Sequence, residues 1–139
     1  MNWFYWALGS AGFAALTALL AKVGVAEVNP NLATAVRTSV VVLFSWAFAW
    51  ATIPAGGWSM PTTRSLIFLV LSGGATGLSW VCYFHALRLG PVSRVAAVDK
   101  LSVALAAILA VTFLGEHLDA RSVAGLGLIV AGAALMAWK

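Results

Sequence analysis

Residues 3–21, 32–53, 65–87, 92–114 and 121–138 form five apolar segments, and they leave little of the 139-residue chain over. Each has roughly the 17–25 residues that a helix needs to cross a hydrocarbon core. In lipid every backbone N–H and C=O must find its partner inside the protein, which leaves only the α-helix and the closed β-barrel. The period-two alternation of barrel strands is absent here. The expectation is therefore an all-α integral membrane protein of five transmembrane helices, with residues 1–139 as one domain. Charged residues make up 9% of the chain, where a soluble domain carries about 25%. The connections are short and rich in turn formers, such as Asn29-Pro30-Asn31, Pro54-Ala55-Gly56-Gly57 and Gly90-Pro91. No loop is large enough to house a soluble domain, so the chain acts within the membrane or at its edges.

The first segment opens on Trp3-Phe4-Tyr5-Trp6 rather than on a basic run, which sets it apart from a signal peptide. With Trp50, Trp58 and Trp138, these rings fit an aromatic belt at the membrane interface. Five spans put the termini on opposite sides. One side carries Lys22, Arg37, Arg88, Arg94 and Lys139; the other carries Arg64 and Arg121. The positive-inside rule places the larger group in the cytoplasm, with the N-terminus outside and the C-terminus inside an inner or plasma membrane. The same bias opposes insertion in both orientations. The net charge of +4 reads as topology, because no basic patch suited to nucleic acid exists.

Asp99 and Lys100 interrupt the fourth span, side by side in a run of Ala, Val, Leu and Ile. Asp99 lies seven residues after Val92, about 10 Å into a helix rising 1.5 Å per residue. An ionisable side chain within a span costs at least about 2.5–3.5 kcal/mol to insert, so such residues mark function by default. At 100° per residue Asp99 shares a face with Ala96, Val103, Ala106, Ala107 and Ala110, opposite Val98, Leu101, Leu105 and Ile108. Small residues face helix neighbours in membranes, which points Asp99 inward and puts Lys100 on the flank. Two structural readings compete with function. Asp99 could be locked in an ion pair with a residue such as Arg37, and Lys100 could snorkel to the headgroups. Burial and a nearby cation pull a carboxyl's proton affinity in opposite directions, and the sequence leaves their balance open. The tight turn after the third span sets Trp80 near the depth of Asp99, with Tyr83 nearer the surface. Lys22 and Arg37 read first as positive-inside anchors.

Other polar features carry less. Cys82 is alone, and Cys82 with His85 supplies two ligands without partners, a weak metal signal. Glu116-His117-Leu118-Asp119 reads as the turn before the last helix, with Asp119 as its N-cap. Gly73 and Gly77 make a G-x-x-x-G spacing, read as close helix packing or as a locally opened segment lining a cavity. Gly125, Gly127 and Gly132 read as a smooth interface, either within the chain or between subunits. No Ser-His-Asp order, phosphate loop or metalloprotease motif is present, so neither an enzyme nor a metal or organic cofactor is expected.

The run ALRLGPVSRVAAVDKLSVALAAILAVTFLGEHL, followed by AGLGLIVAGAAL, resembles the EamA domain of the drug/metabolite transporter superfamily. DKLSV, with AKVGV after the first helix and NLATAVRTSVVV opening the second, is similar to its short five-helix bacterial and archaeal branch. The resemblance implies a chain equivalent to half of the usual ten-helix inverted repeat. It implies a dimeric partner, either a second copy, with the antiparallel arrangement ranked ahead of the parallel one that the charge bias fits, or a related five-helix chain. It also implies membrane lipid and a small-molecule substrate as further partners.

The resulting expectation is a secondary transporter exporting a small metabolite such as an amino acid by alternating access, with the proton as the candidate coupling ion. Asp99 would bind substrate or proton, Trp80 and Tyr83 would line the cavity, and Lys100 and Arg37 would tune Asp99 or attract an anionic group. Cationic cargo is disfavoured, since Lys22, Arg37 and Lys100 outnumber the one carboxylate of Asp99. The rival expectation is a non-transporting membrane subunit in which Asp99 and Lys100 only lock helix packing.

Overall fold

The computed structural model describes residues 2–138; Lys139, counted above with the cytoplasmic side, lies outside them. It is all-helical among the described residues: α1 (Trp3–Gly24), α2 (Pro30–Thr52), α3 (Thr63–Leu89), α4 (Val92–Asp99), α5 (Leu101–Leu109), a π-helical turn (Ala110–Leu114) and α6 (Ala120–Ala137). Five helical stretches are long and apolar enough to span a bilayer, the fourth being α4, α5 and the π turn taken together. The five expected spans are therefore present, with ends shifted by a few residues. Asn29 explains the earlier start of α2: its Oδ1 accepts from the Asn31 N–H at 2.9 Å, and Pro30 takes the first helical position. Pro suits that position because its missing N–H would have no intrahelical partner there. Thr62 opens α3 in a similar way, its Oγ1 accepting from the Ser65 N–H at 3.2 Å.

The chain divides into two compact units, one of Ala21–Arg88 and one of Met1–Leu20 with Leu89–Lys139. In the first, Val25 and Leu87 are wholly buried and Phe84, Pro30 and Thr34 nearly so. These residues come from the α1–α2 connection, the start of α2 and the last turns of α3. In the second, α4 and α5 pack along α6, where Ala133 is buried.

The fourth span is not one continuous α-helix. At Lys100 the N–H donates to Ala97 O at 3.1 Å, and Lys100 O accepts from the Val103 N–H at 3.0 Å. Both bonds span three residues, the tighter 3₁₀ pattern. That tighter turn rotates successive residues by about 120° instead of 100° and shifts the phase of everything after it. The half-buried residues of the span are Val92, Val95, Ala96, Ala97, Asp99, Leu101, Ala104, Ala107 and Ala110. Leu101, expected on the lipid side, is half-buried, whereas Val103 and Ala106, expected beside Asp99, are exposed. The locally opened segment weighed at Gly73–Gly77 is not there; α3 runs through it unbroken. Nor is the expected glycine packing made inside either unit. Within its own unit, a methyl group added at Gly73, Gly77, Gly125, Gly127 or Gly132 meets no atom within 4 Å.

The span ends in the π turn, closed by Gly115 at φ 68, ψ 24. The Gly115 N–H reaches back to Ala110 O, as does the Glu116 N–H at 3.3 Å. Gly115 is the described residue with a positive φ, a region that a side chain disfavours sterically. Asp119 caps α6 as expected, its Oδ1 accepting from the Ser122 N–H at 2.9 Å. That side chain is held below the usual carboxyl range, first by the Ser122 hydroxyl and then by the Ser122 backbone N–H.

Two outcomes follow from these helix ends. Gly115→Ala should destabilise the protein by about 1 kcal/mol through backbone strain alone, since its Cβ meets nothing within 4 Å; SDS-unfolding midpoints measure it. Because the folded pKa of Asp119 is lowered, its contribution is complete above the unfolded carboxyl pKa and disappears as pH falls through the folded one. Thermal unfolding of wild type and Asp119→Asn should thus differ most near neutrality and converge in acid. A difference that stays constant with pH would remove this role.

Candidate functional site

Two groups of the expected site residues are assembled, one in each unit. In the unit Ala21–Arg88, Arg37 leaves α2 and lies over α3. Its guanidinium carbon is 4.2 Å from the Trp80 ring centroid and 5.5 Å from that of Phe84. Trp80 and Phe84 are four residues apart, so one face of α3 presents both rings. Tyr83, one turn beyond Trp80 on the same helix, couples electrostatically to the same guanidinium. Cation–π contact of this kind contributes about 0.5–2 kcal/mol, most where water is excluded. Arg37, Trp80 and Tyr83 were each expected at the site. Phe84 was not, although its spacing from Trp80 carried the signal.

The same unit contains a second set of cationic contacts. Lys22 donates to Leu87 O, and Arg88 donates to Val28 O at 3.0 Å. Leu87 O lies in the last turn of α3, where helix carbonyls lack intrahelical donors and the helix dipole favours a cation. Lys22 is thus more than a topological anchor: it caps α3 from the end of α1. The sequence holds no sign of this, because the pairing joins residues 65 positions apart.

In the other unit, Lys100 Nζ lies 3.7 Å from Asp99 Oδ2, with the side chains 58% and 40% exposed respectively. This is the ion pair found among the described residues. Its partners are consecutive in sequence and flank the 3₁₀ turn that separates α4 from α5. The pair therefore joins no two helices. Being half-open, it is worth about 0–1 kcal/mol as a stabilising contact. The break itself had no advance sign, since neither Gly nor Pro occurs there.

The remaining polar side chains of the spans are mostly engaged with their own helices. Thr34, Thr38, Thr52, Thr76 and Thr112 each donate to the carbonyl four residues back at 2.7–2.9 Å. His85 Nδ1 contacts Val81 O at 2.9 Å, while Cys82 is exposed. Among the described residues no three His, Cys, Asp or Glu gather as metal ligands. Chemically, the chain offers one carboxylate–ammonium pair at a helix break and one guanidinium seated on aromatic rings.

The model of the EamA-like transporter family matches residues 1–138. The chain belongs to the EamA-like transporter family. A protein of Sinorhizobium sp, named "Uncharacterized transporter in cobO 3'region", is 50% identical over 139 residues, covering 98% of this chain and 96% of that relative. No solved structure matches. An EamA-type, multi-pass membrane protein of five helices is thus what the resemblance in the sequence led one to expect, and the family and the named relative support a transporter rather than an enzyme. Removing the α3 cap gives a direct check on the packing around Leu87. Lys22→Met should lower stability to SDS unfolding by about 1–3 kcal/mol, the range for a hydrogen bond to a charged group, whereas Lys22→Arg should retain most of it.

Proposed function

We propose that this EamA-family protein is a secondary transporter that exports a small amphipathic metabolite, such as an amino acid, by alternating access. Asp99 is its protonation or substrate-binding group. One observation carries the reading: among the described residues, the charged pair inside a span stands at a helix discontinuity, half-open, and ties no helices together. Broken helices at mid-membrane are where secondary transporters place their coupling and substrate groups. An ion pair that served as a packing lock would bridge two elements. Asp99 and Lys100 are neighbours on one, which weighs against the rival subunit reading.

The transporting unit in this reading is a dimer, of two antiparallel copies or of this chain with a related five-helix chain, and rocking between the two halves moves the site from one side to the other. The open glycine surfaces Gly73–Gly77 and Gly125–Gly132 support a partner, as small residues allow close helix approach. The charge bias supports an N-terminus outside and a C-terminus in the cytoplasm, and therefore weighs against the antiparallel arrangement.

The test compares wild type and Asp99→Asn in liposomes, using solid-supported-membrane electrophysiology with an amino-acid panel under a proton gradient. Crosslinking runs alongside as the check on assembly. Substrate-dependent currents in wild type should vanish in a mutant that still dimerises. Currents unchanged by Asp99→Asn would remove Asp99 from the mechanism, and a mutant that falls apart would favour the structural reading.

A further inference from the structure

We propose that Arg37, seated on Trp80 and Phe84, is a receptor for an oxyanion, and that the carboxylate end of the cargo docks there. The assignment of the oxyanion to the cargo rests on the transporter reading above; the receptor itself does not.

Arg37 lies seven residues after Pro30 in α2, about 10 Å along the helix. A guanidinium has five N–H donors lying in its plane and none on its faces. In this structure the guanidinium carbon lies over two rings, 4.2 Å from the Trp80 centroid and 5.5 Å from that of Phe84. Among the described residues no oxygen accepts a hydrogen bond from Arg37 and no carboxylate pairs with it. Within the unit Ala21–Arg88 the sole carboxylate is Glu27, in the α1–α2 connection, and no described carboxylate of that unit pairs with Arg37. The hydroxyl groups nearest along α2, those of Thr34, Thr38 and Ser39, each donate to a carbonyl of their own helix, and none accepts from Arg37.

A planar fork without a hydrogen-bond acceptor among the described residues matches a carboxylate or phosphate, which takes two parallel N–H···O bonds. A simple topological anchor needs neither the rings nor the fork, and a lysine serves that purpose equally well. The site adds a second preference. Beside the docked oxyanion the half-buried Trp80 offers apolar surface, with the buried Phe84 behind it, which suits a ligand with a carboxylate head and a short hydrocarbon body.

The experiment uses the full chain in dodecyl maltoside micelles, which contain no phosphate. Phenylglyoxal modification of Arg37 is followed by peptide mass spectrometry. The probes are isovalerate and its neutral isostere isovaleramide. Arg37 should react in the absence of anion, and half-protection should need about tenfold less isovalerate than isovaleramide, as a charge-assisted bidentate contact demands. Trp80→Leu should raise the protecting concentration of isovalerate several-fold by freeing the fork. Adding phosphatidylglycerol to the micelles separates the sources. Protection by the lipid without isovalerate keeps the oxyanion receptor but assigns it to a headgroup, overturning the cargo role. An Arg37 that never reacts, or that both probes protect equally, overturns the receptor. Isovalerate protection in a protein that moves no cargo in liposomes sinks the transporter reading alone. Transport of carboxylate-bearing cargo that survives Arg37→Lys unchanged sinks the receptor alone.

Discussion

Hydrocarbon cannot hydrogen-bond to a peptide group, and the structure is organised by that fact. It makes every span helical and turns the span hydroxyls back onto their own helices. It also makes each helix end a place where carbonyls or N–H groups need help. Asn29, Thr62 and Asp119 supply acceptors at the starts of α2, α3 and α6. Lys22 supplies a donor at the end of α3, and Gly115 lets the fourth span close on itself. The well-buried residues Val25, Phe84 and Leu87 gather beside these end contacts rather than along the middle of the spans. Where lipid covers the outside of a helix, burying apolar side chains against protein brings no hydrophobic gain, so specific polar contacts and close packing carry the association.

Against that background the fourth span stands apart. It departs from α-helical geometry twice, by a tight turn at Lys100 and a wide one at Ala110–Leu114. Such irregular turns occur disproportionately at hinges and functional sites. The first coincides with the Asp99–Lys100 pair. The second ends at Gly115, in the FLGE run that carries part of the family resemblance. A span divided in this way consists of two short helical pieces, both packed against α6. The guanidinium of Arg37 is by contrast held over two rings of an unbroken helix, Trp80 and Phe84 of α3.

Much of this was legible in the residues. The number and nature of the spans follow from runs of apolar residues matched to bilayer thickness, and Asp119 was recognisable as a cap from its place ahead of an apolar run. Asp99, Lys100, Arg37, Trp80 and Tyr83 stood out because ionisable and amphipathic groups are rare in lipid. The face on which Asp99 lies was only partly right: Ala96, Ala107 and Ala110 are half-buried as expected, whereas Val103 and Ala106 are exposed and Leu101 is half-buried. The pairing of Lys22 with Leu87 O was invisible, as was the seat of Arg37 on Trp80 and Phe84, because each joins distant segments of chain.

Chemistry that acts locally, residue by residue against lipid, is written in the order of the amino acids: which stretches enter the membrane, that they are helical, where they start, and which side chains are out of place there. Membership of the EamA-like transporter family is readable at the same level. Which cation caps which helix, where the fourth span breaks, and which rings carry Arg37 depend on how helices approach one another. That approach is set by contacts between residues far apart in the chain, and a one-dimensional pattern of polarity does not encode their distances.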